Sequence, residues 1–349
     1  MQEKLLKWYF EVYRKLPWRD QEDPYKIWLS EIMLQQTQVA TVIDYFNRFI
    51  DKYPRIEDLA QADEDDVLKL WEGLGYYSRA RRLIPCAIMV CEVYDGKFPD
   101  TYEEIIKLPG VGSYTAGAIL SIAYNKKVPA VDGNVMRVYS RYYNMEDDIS
   151  LSKSKKIFEE KVFDTLPEDR RHYNQALMEL GARVCTSKAY KCHECPIQSG
   201  CQSFKLSNQD QRPVKSKKIK KKHQRIAACM IHCDGKILLM KRPGEGLLAG
   251  MWSLPVVEIG QVEDIHNYLE DEYELSVDKL IPVSEAKHVY THLVWDMTLY
   301  EMTTDRQVVI ELPKCIWVTV DELENYALPK GIHKLLENRK KDGYQMSFC

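Results

Sequence analysis

The chain has 349 residues, 45% of them hydrophobic and 29% charged. That is enough for two domains of ordinary size, each with its own core. No apolar run reaches the length of a membrane helix, and charges interrupt the apolar positions of the N-terminal MQEKLLKWYFEVYRKLPW, so no signal peptide is expected there. The expected compartment is a reducing cytoplasm, where ten cysteines argue against a disulfide framework and, where they cluster, for metal or redox chemistry.

In chain order, the N-terminal stretch predicts an amphipathic helix with Leu5, Trp8, Tyr9 and Val12 on one face. SEIMLQQTQVATVIDYFNRFIDKYP places Val39, Val42, Ile43, Phe46 and Ile50 at helical spacing and stops before Pro54. DEDDVLKLWEGLGYYSRARRLIPCAIMVCEVY reads as helix, glycine-rich turn, helix. DTYEEIIKLPGVGSYTAGAILSIAY opens with a capping box, Thr101 with Glu104 three residues on, breaks at Pro109-Gly110 and resumes as helix near Ser113. After Arg225 the period changes to two: RIAACMIHCDGKILLMKR predicts a hairpin turning at Asp234-Gly235, with further strands in AKHVYTHLVWDMTLYEMT and KCIWVTV and helices in VEDIHNYLEDEY and GIHKLLENRKK.

The net charge of −3 is unevenly spread. Residues 1–201 hold 28 basic and 31 acidic side chains, residues 202–225 nine and one, and residues 226–349 twelve and twenty. The middle segment, with RPVKSKKIKKKHQR, reads as a solvated linker, and a linker beside a polyanion gains from being basic. The expected division is a helical domain over 1–205, a basic linker over 206–225 and an α+β domain over 226–349.

Three motifs carry chemistry. Cys185, Cys192, Cys195 and Cys201 follow C-x6-C-x2-C-x5-C. Soft thiolates select zinc or iron–sulfur clusters, and one compact run suits a cubane better than the paired knuckles of a zinc ribbon, though spacing alone leaves both open. Leu108 to Gly112, LPGVG, lies between two helices, where Gly110 and Gly112 would permit close backbone approach and the next helix would offer free N–H groups to a DNA phosphate; a plain interhelical turn is the alternative. Asp132, in VPAVDGNVMRV, reads either as a helix N-cap or as a carboxylate beside a reaction centre.

Hairpin, downstream aspartate and four-cysteine run, in that order on a helical scaffold, resemble the endonuclease-III-like DNA glycosylases. WLSEIMLQQTQVATVI (Trp28 to Ile43) narrows the resemblance to the MutY-type adenine glycosylases. The resemblance implies a mostly α helix-hairpin-helix glycosylase domain with a [4Fe–4S] loop on the four cysteines, plus a C-terminal α+β Nudix-like (MutT-like) domain. It implies excision of adenine opposite 8-oxoguanine or guanine in duplex DNA by a monomer. Glu31 would be the catalytic acid, Asp132 the stabilising carboxylate, and Tyr114 and Asn134 would orient water and carboxylates. Gln36, Thr37, Leu74 and Tyr76 would wedge into the duplex, and Arg14, Leu16, Trp18 and Glu179 would line the adenine pocket. Tyr290-Thr291-His292 would stand for the family's F-S-H loop, with Thr291 and His292 reading the oxidised guanine, although taken alone these two look like alternating strand residues. Lys188 and Lys191, between the first two cysteines, would meet phosphates. Members that also cut the strand carry a lysine where Tyr114 stands, and a phenol forms no Schiff base, so strand cleavage is not expected. No R-E-x-x-E-E run accompanies the Nudix-like segment, so that domain is expected to bind rather than hydrolyse. An endonuclease-III-like lyase acting on oxidised pyrimidines and a non-catalytic redox-sensing DNA binder are the alternatives.

Overall fold

The computed structural model describes residues 1–216, 221–261, 263–305, 307 and 314–341. Residues 217–220 of the basic connector and Cys349 lie outside the described residues. The helices are α1 (Gln2–Val12), α2 (Pro24–Leu34), α3 (Val39–Lys52), α4 (Ile56–Ala60), α5 (Glu64–Leu70), α6 (Leu83–Tyr94), α7 (Tyr102–Ile105), α8 (Ser113–Ile122), α9 (Gly133–Tyr143), α10 (Ser152–Thr165), α11 (Arg170–Arg183), α12 (Gln202–Lys205), α13 (Glu263–Tyr273) and α14 (Lys330–Lys341). Among the described residues none is long and apolar enough to cross a membrane. The strands are β1 (Lys222–Cys233), β2 (Lys236–Lys241), β3 (Trp252–Ser253), β4 (Val256–Glu258), β5 (Asp278–Val289), β6 (Leu293–Thr303) and β7 (Cys315–Val318).

Two compact units result: Met1–Ala62 with Arg82–Lys217, and Asp63–Arg81 with Lys218–Cys349. The first is all helix. Leu5 and Tyr9 of α1 pack with Val135, Val138 and Tyr139 of α9, Phe158 and Val162 of α10 and Tyr173 and Leu177 of α11, while Trp8 stands at the edge of this core. The residues expected at helical spacing from Val39 to Ile50 lie on α3, and a separate helix precedes it. α2 ends at Leu34, Gln36 takes a left-handed φ of 58°, and α3 begins after Gln38. Val42, Phe46 and Phe49 form the buried stripe of α3. Almost all of α2 is buried, from Ile27 through Met33, so it runs through the interior with no solvated face.

The box at the start of α7 is not reciprocal. Thr101 is the N-cap, but its hydroxyl donates to Glu104 Oε2 at 2.8 Å and makes no bond to the helix backbone. At the following hairpin, Gly110 needs its φ of 79°, and an added Cβ would stand 3.1 Å from Arg82, a side chain rather than another backbone. An added Cβ at Gly112 would have nothing within 4 Å, so close packing does not explain that glycine. Gly112 caps α8 with no side-chain acceptor, which leaves the first N–H groups of the helix available.

The described part of the second unit holds a seven-stranded sheet of order β3-β2-β1-β6-β5, with β4 pairing β1 and β7 pairing β2. β1 and β2 form the expected hairpin, with Asp234 and Gly235 both at positive φ and Cys233 opposite Lys236. β1 runs parallel to β6, and β6 antiparallel to β5. Val289 pairs Val294, so Tyr290 to His292 form the connecting turn, closed by Tyr290 N–H to Leu293 O at 2.8 Å. Thr291 and His292 therefore sit exposed on a turn and are not strand residues. α14 packs on β5 through Ile332 and Leu335, while Ile265 and Leu269 of α13 join Ile231, Leu238 and Met302 in a separate apolar cluster.

Candidate active site

A cleft of about 520 Å³ opens in the helical unit, lined by residues from α2, α8, α9 and α11. Glu31 enters it from the interior helix α2 and is 6% exposed. Burial raises its carboxyl to about 7; Tyr114 opposes that rise, Asp132 adds to it, and Arg19 opposes it more weakly. The Tyr114 hydroxyl donates to Glu31 Oε2 and also lies 3.5 Å from Met178 Sδ. Burial and the carboxylates of Glu31 and Asp132 push the phenol well above its ordinary range, so it stays a donor at neutral pH.

Asp132 serves two purposes. Its Oδ1 accepts the Val135 N–H at 2.8 Å and caps α9, which was the plain alternative for this residue, while its Oδ2 accepts Asn134 Nδ2 at 2.6 Å. The carboxyl nonetheless lines the cleft with Glu31. Burial raises its pKa against the pull of these donors and of Arg137. Arg137 fixes Asn134 by donating from Nη2 to Asn134 Oδ1 at 2.8 Å and Gly181 O at 2.7 Å, and from Nε to Cys185 O at 2.8 Å. Gly181 is obligatory there, since an added Cβ would come within 2.6 Å of the Asn134 Cβ.

The cleft also gathers Arg14, Leu16, Trp18, Gln36, Thr37 and Glu179. Trp18 is buried edge-on against Phe46, with ring centroids 5.2 Å apart. Glu179 has no exposed side-chain surface and is gripped by Arg14 at 2.7 Å and Arg19 at 2.6 Å, with Arg183 at 3.5 Å. Burial works to raise its carboxyl, but the arginines outweigh it and hold it below the usual range. Gly110 and Gly112 stand at the head of α8 and do not line the cleft. Leu74 and Tyr76 belong to the second unit, as do Thr291 and His292. Leu74 is buried at 7% exposure, whereas Tyr76 is 45% exposed.

Sequence reasoning missed Arg19, Gln175 and Met178, which line the same cleft. Tyr9 donates to Gln175 Oε1 at 2.5 Å across 166 residues. No local spacing announces such a contact; the only trace was the charged arginine beside Trp18.

The four nominated cysteines follow α11 as free, half-buried thiols. Burial pushes Cys195 up to about 12, and Cys185, Cys201 and Cys192 each add to the shift, so the four sulfurs share one neighbourhood. Arg141, 2% exposed, lies among them, with Nη1 3.4 Å from Cys185 Sγ and 2.7 Å from Thr186 O. The Cys201 thiol donates to Arg141 O at 3.3 Å. Among the described residues no three His, Cys, Asp or Glu side chains stand close enough to hold a single metal ion. Half-buried thiols around a guanidinium fit an anionic group that carries its own cations and gives each thiolate a separate metal atom.

With Glu31 kept protonated by burial, removal of its donor has a definite sign. Tyr114→Phe should move the Glu31 titration further up from about 7 and carry the alkaline limb of the single-turnover rate with it. An unchanged or lowered limb would contradict the place given to Tyr114.

Two family profiles match the chain: "HhH-GPD superfamily base excision DNA repair protein" over residues 29–163 and "NUDIX domain" over residues 226–338. The adenine DNA glycosylase of Buchnera aphidicola subsp. Baizongia pistaciae (strain Bp) is 34% identical over 97% of this chain and 96% of its own. That of Arabidopsis thaliana is 35% identical over 83% of this chain, which spans 55% of that longer protein. Among solved structures, a thermostable thymine-DNA glycosylase is 30% identical, with TM-score 0.54, and 58% of this chain covers 94% of it. With a buried carboxyl and a capping aspartate facing one cleft, and 34% identity to such a relative over nearly the whole of both chains, the chain belongs to the adenine DNA glycosylase family, a helix-hairpin-helix base-excision-repair fold joined to a Nudix-like domain.

Proposed function

We propose that the protein is a monofunctional, monomeric enzyme that hydrolyses the N-glycosidic bond of adenine paired with 8-oxoguanine or guanine in duplex DNA. The observation that carries this reading is the pair of unlike carboxyls in one cleft: Glu31, buried and raised to about 7, and Asp132, hydrogen-bonded from three sides of its own helix start. Adenine is a poor leaving anion. The Glu31 proton passes to a ring nitrogen, the C1′–N bond breaks with its electron pair going to the base, and the sugar becomes an oxocarbenium ion. The ionised form of Asp132, which its Val135 and Asn134 donors and the positive charge of Arg137 favour, stabilises that cation. Water then adds at C1′ and returns a proton to the Glu31 carboxylate. The target base must leave the helical stack to reach this cleft; Gln36, Thr37, Leu74 and Tyr76 are assigned to the wedge, and Arg14, Leu16, Trp18 and Glu179 to the base pocket. Gly110 and Gly112 open α8 toward a phosphate, and the exposed Thr291–His292 turn is assigned to the oxidised guanine. The fold expectation of 1–205, 206–225 and 226–349 stays as the domain proposal, with Asp63–Arg81 packed in the second unit.

Cys185, Cys192, Cys195 and Cys201 would hold a [4Fe–4S] cluster, which supplies the anchor that folds the end of the helical unit. Around it Arg141 places a fixed positive charge and Lys188 and Lys191 extend the loop toward DNA phosphates. The test is a single-turnover assay on duplexes holding adenine opposite 8-oxoguanine or guanine, read with and without hot alkali. Strand breaks should appear only after alkali, because Tyr114 cannot form a Schiff base. Breaks without alkali would favour the lyase reading, and no adenine release would favour a DNA-binding module.

A further inference from the structure

Gly73, Gly75 and Tyr76 all have positive φ, at 96°, 74° and 50°. A tyrosine in that conformation persists only where its surroundings over-determine it. Part of the support is local. Arg79, 8% exposed, donates from Nη2 to Gly75 O at 3.0 Å, the Trp71 indole donates to the same carbonyl at 3.1 Å, and Gly73 N–H donates to Tyr77 Oη at 3.1 Å.

The rest of the support comes from the sheet-bearing part of the second unit. Glu72, the residue before the turn, accepts from Leu328 N–H at 2.8 Å and pairs with His333 Nε2 at 2.7 Å through the same oxygen, while Lys69 holds the other at 2.6 Å. These bonds outweigh burial and hold the Glu72 carboxyl below its usual range. Upstream, Asp65 accepts from the Trp252 indole at 3.1 Å and pairs with Lys241 at 2.7 Å. Downstream, Arg81 donates to Gly244 O at 2.6 Å. Both ends of the turn are thus fastened to residues more than 160 positions away.

We infer that the Nudix-like domain is the anchor of the Leu74–Tyr76 turn, and that Glu72, through His333 and Leu328, is a positioning residue for base extrusion. The inference rests on the adenine-glycosylase reading. It gives the second domain a mechanical task in addition to recognition: a wedge that pries a base from the stack needs a base that does not yield, and the Glu72 carboxylate supplies it.

The test uses the full chain with Glu72→Gln, His333→Gln and the double variant. In a Glu31→Gln background, fluorescence of 2-aminopurine at the target position opposite 8-oxoguanine reports extrusion. Each single variant should lower the fluorescence rise about tenfold, the scale of losing one partner of a charged hydrogen bond. The double variant should lower it by less than the product of the two single losses, because both variants remove the one contact that Glu72 and His333 share. The adenine-release rate at saturating enzyme should fall by the same factor when Glu31 is present. Affinity for a duplex with an abasic site opposite 8-oxoguanine should not change, since nothing remains to extrude. An unchanged fluorescence rise in both single variants would overturn the inference, as would an equal loss of affinity for the abasic duplex. If wild type releases no adenine, the functional reading itself fails.

Discussion

Glu31→Gln should abolish adenine release, with a single-turnover rate about 10³-fold lower at neutral pH, the scale set by loss of a positioned general acid. Glutamine keeps the shape of the side chain and an acceptor for the Tyr114 hydroxyl but has no proton to give. Duplex affinity should change little, because Glu31 is buried and far from being a surface charge. The wild-type rate should fall as pH rises through about 7, where the buried carboxyl ionises. The same shift has a stability side. Folding holds a proton that the unfolded chain releases from its ordinary value of 4.5, so relative to a neutral side chain Glu31 costs nothing below that pH. Its cost grows between 4.5 and about 7 and stays level above. Glu31→Gln should therefore be more stable than wild type by about 3 kcal/mol above neutrality and equal to it in acid, as unfolding curves at several pH values would read. A variant that is both inactive and destabilised at pH 8 would show that Glu31 is structural.

Asp132→Asn should lower the single-turnover rate by about 10²- to 10³-fold, the range for removing one stabilising charge from a developing ion. The helix cap should survive, because the asparagine oxygen still accepts from Val135 N–H and asparagine is a good N-cap. The second oxygen is different. An amide nitrogen there would face the Asn134 nitrogen across the present 2.6 Å contact, donor against donor, so Asn134 must turn away. A drop in rate with Tm nearly unchanged supports a charge role. A rate that survives the substitution would leave Asp132 as the cap that a lone D-G-N first suggests.

Much of the candidate site was legible because its residues come in contiguous motifs. SEIMLQQT carries Glu31, and the four-cysteine run, LPGVG and DGN each keep a fixed order that composition could not produce. The Asp234-Gly235 hairpin was legible because turn chemistry is local. What escaped lies in long-range contact. Arg19 reaches Glu179 across 160 residues, and Tyr9 reaches Gln175 across 166. The end of α2 at Leu34 carries no proline or glycine to mark it: the polar Gln35 to Gln38 separate the two helices, and among them Gln36 takes a left-handed φ. Thr101 has the right neighbour for a cap, but its hydroxyl found the Glu104 carboxylate instead. Thr291 and His292 alternate like strand residues yet form a turn, because β5 and β6 pair up to Val289 and Val294.

The placement of Asp63–Arg81 has a consequence for how such a chain is inherited. A gene cut at the connector after Lys217 would separate the stretch from the Trp252, Leu328 and His333 that hold it. The two halves are therefore not interchangeable cassettes, and a recombinant joining this helical half to a foreign Nudix-like half would inherit an unsupported turn. Lineages should change the two faces of that contact together or leave both alone.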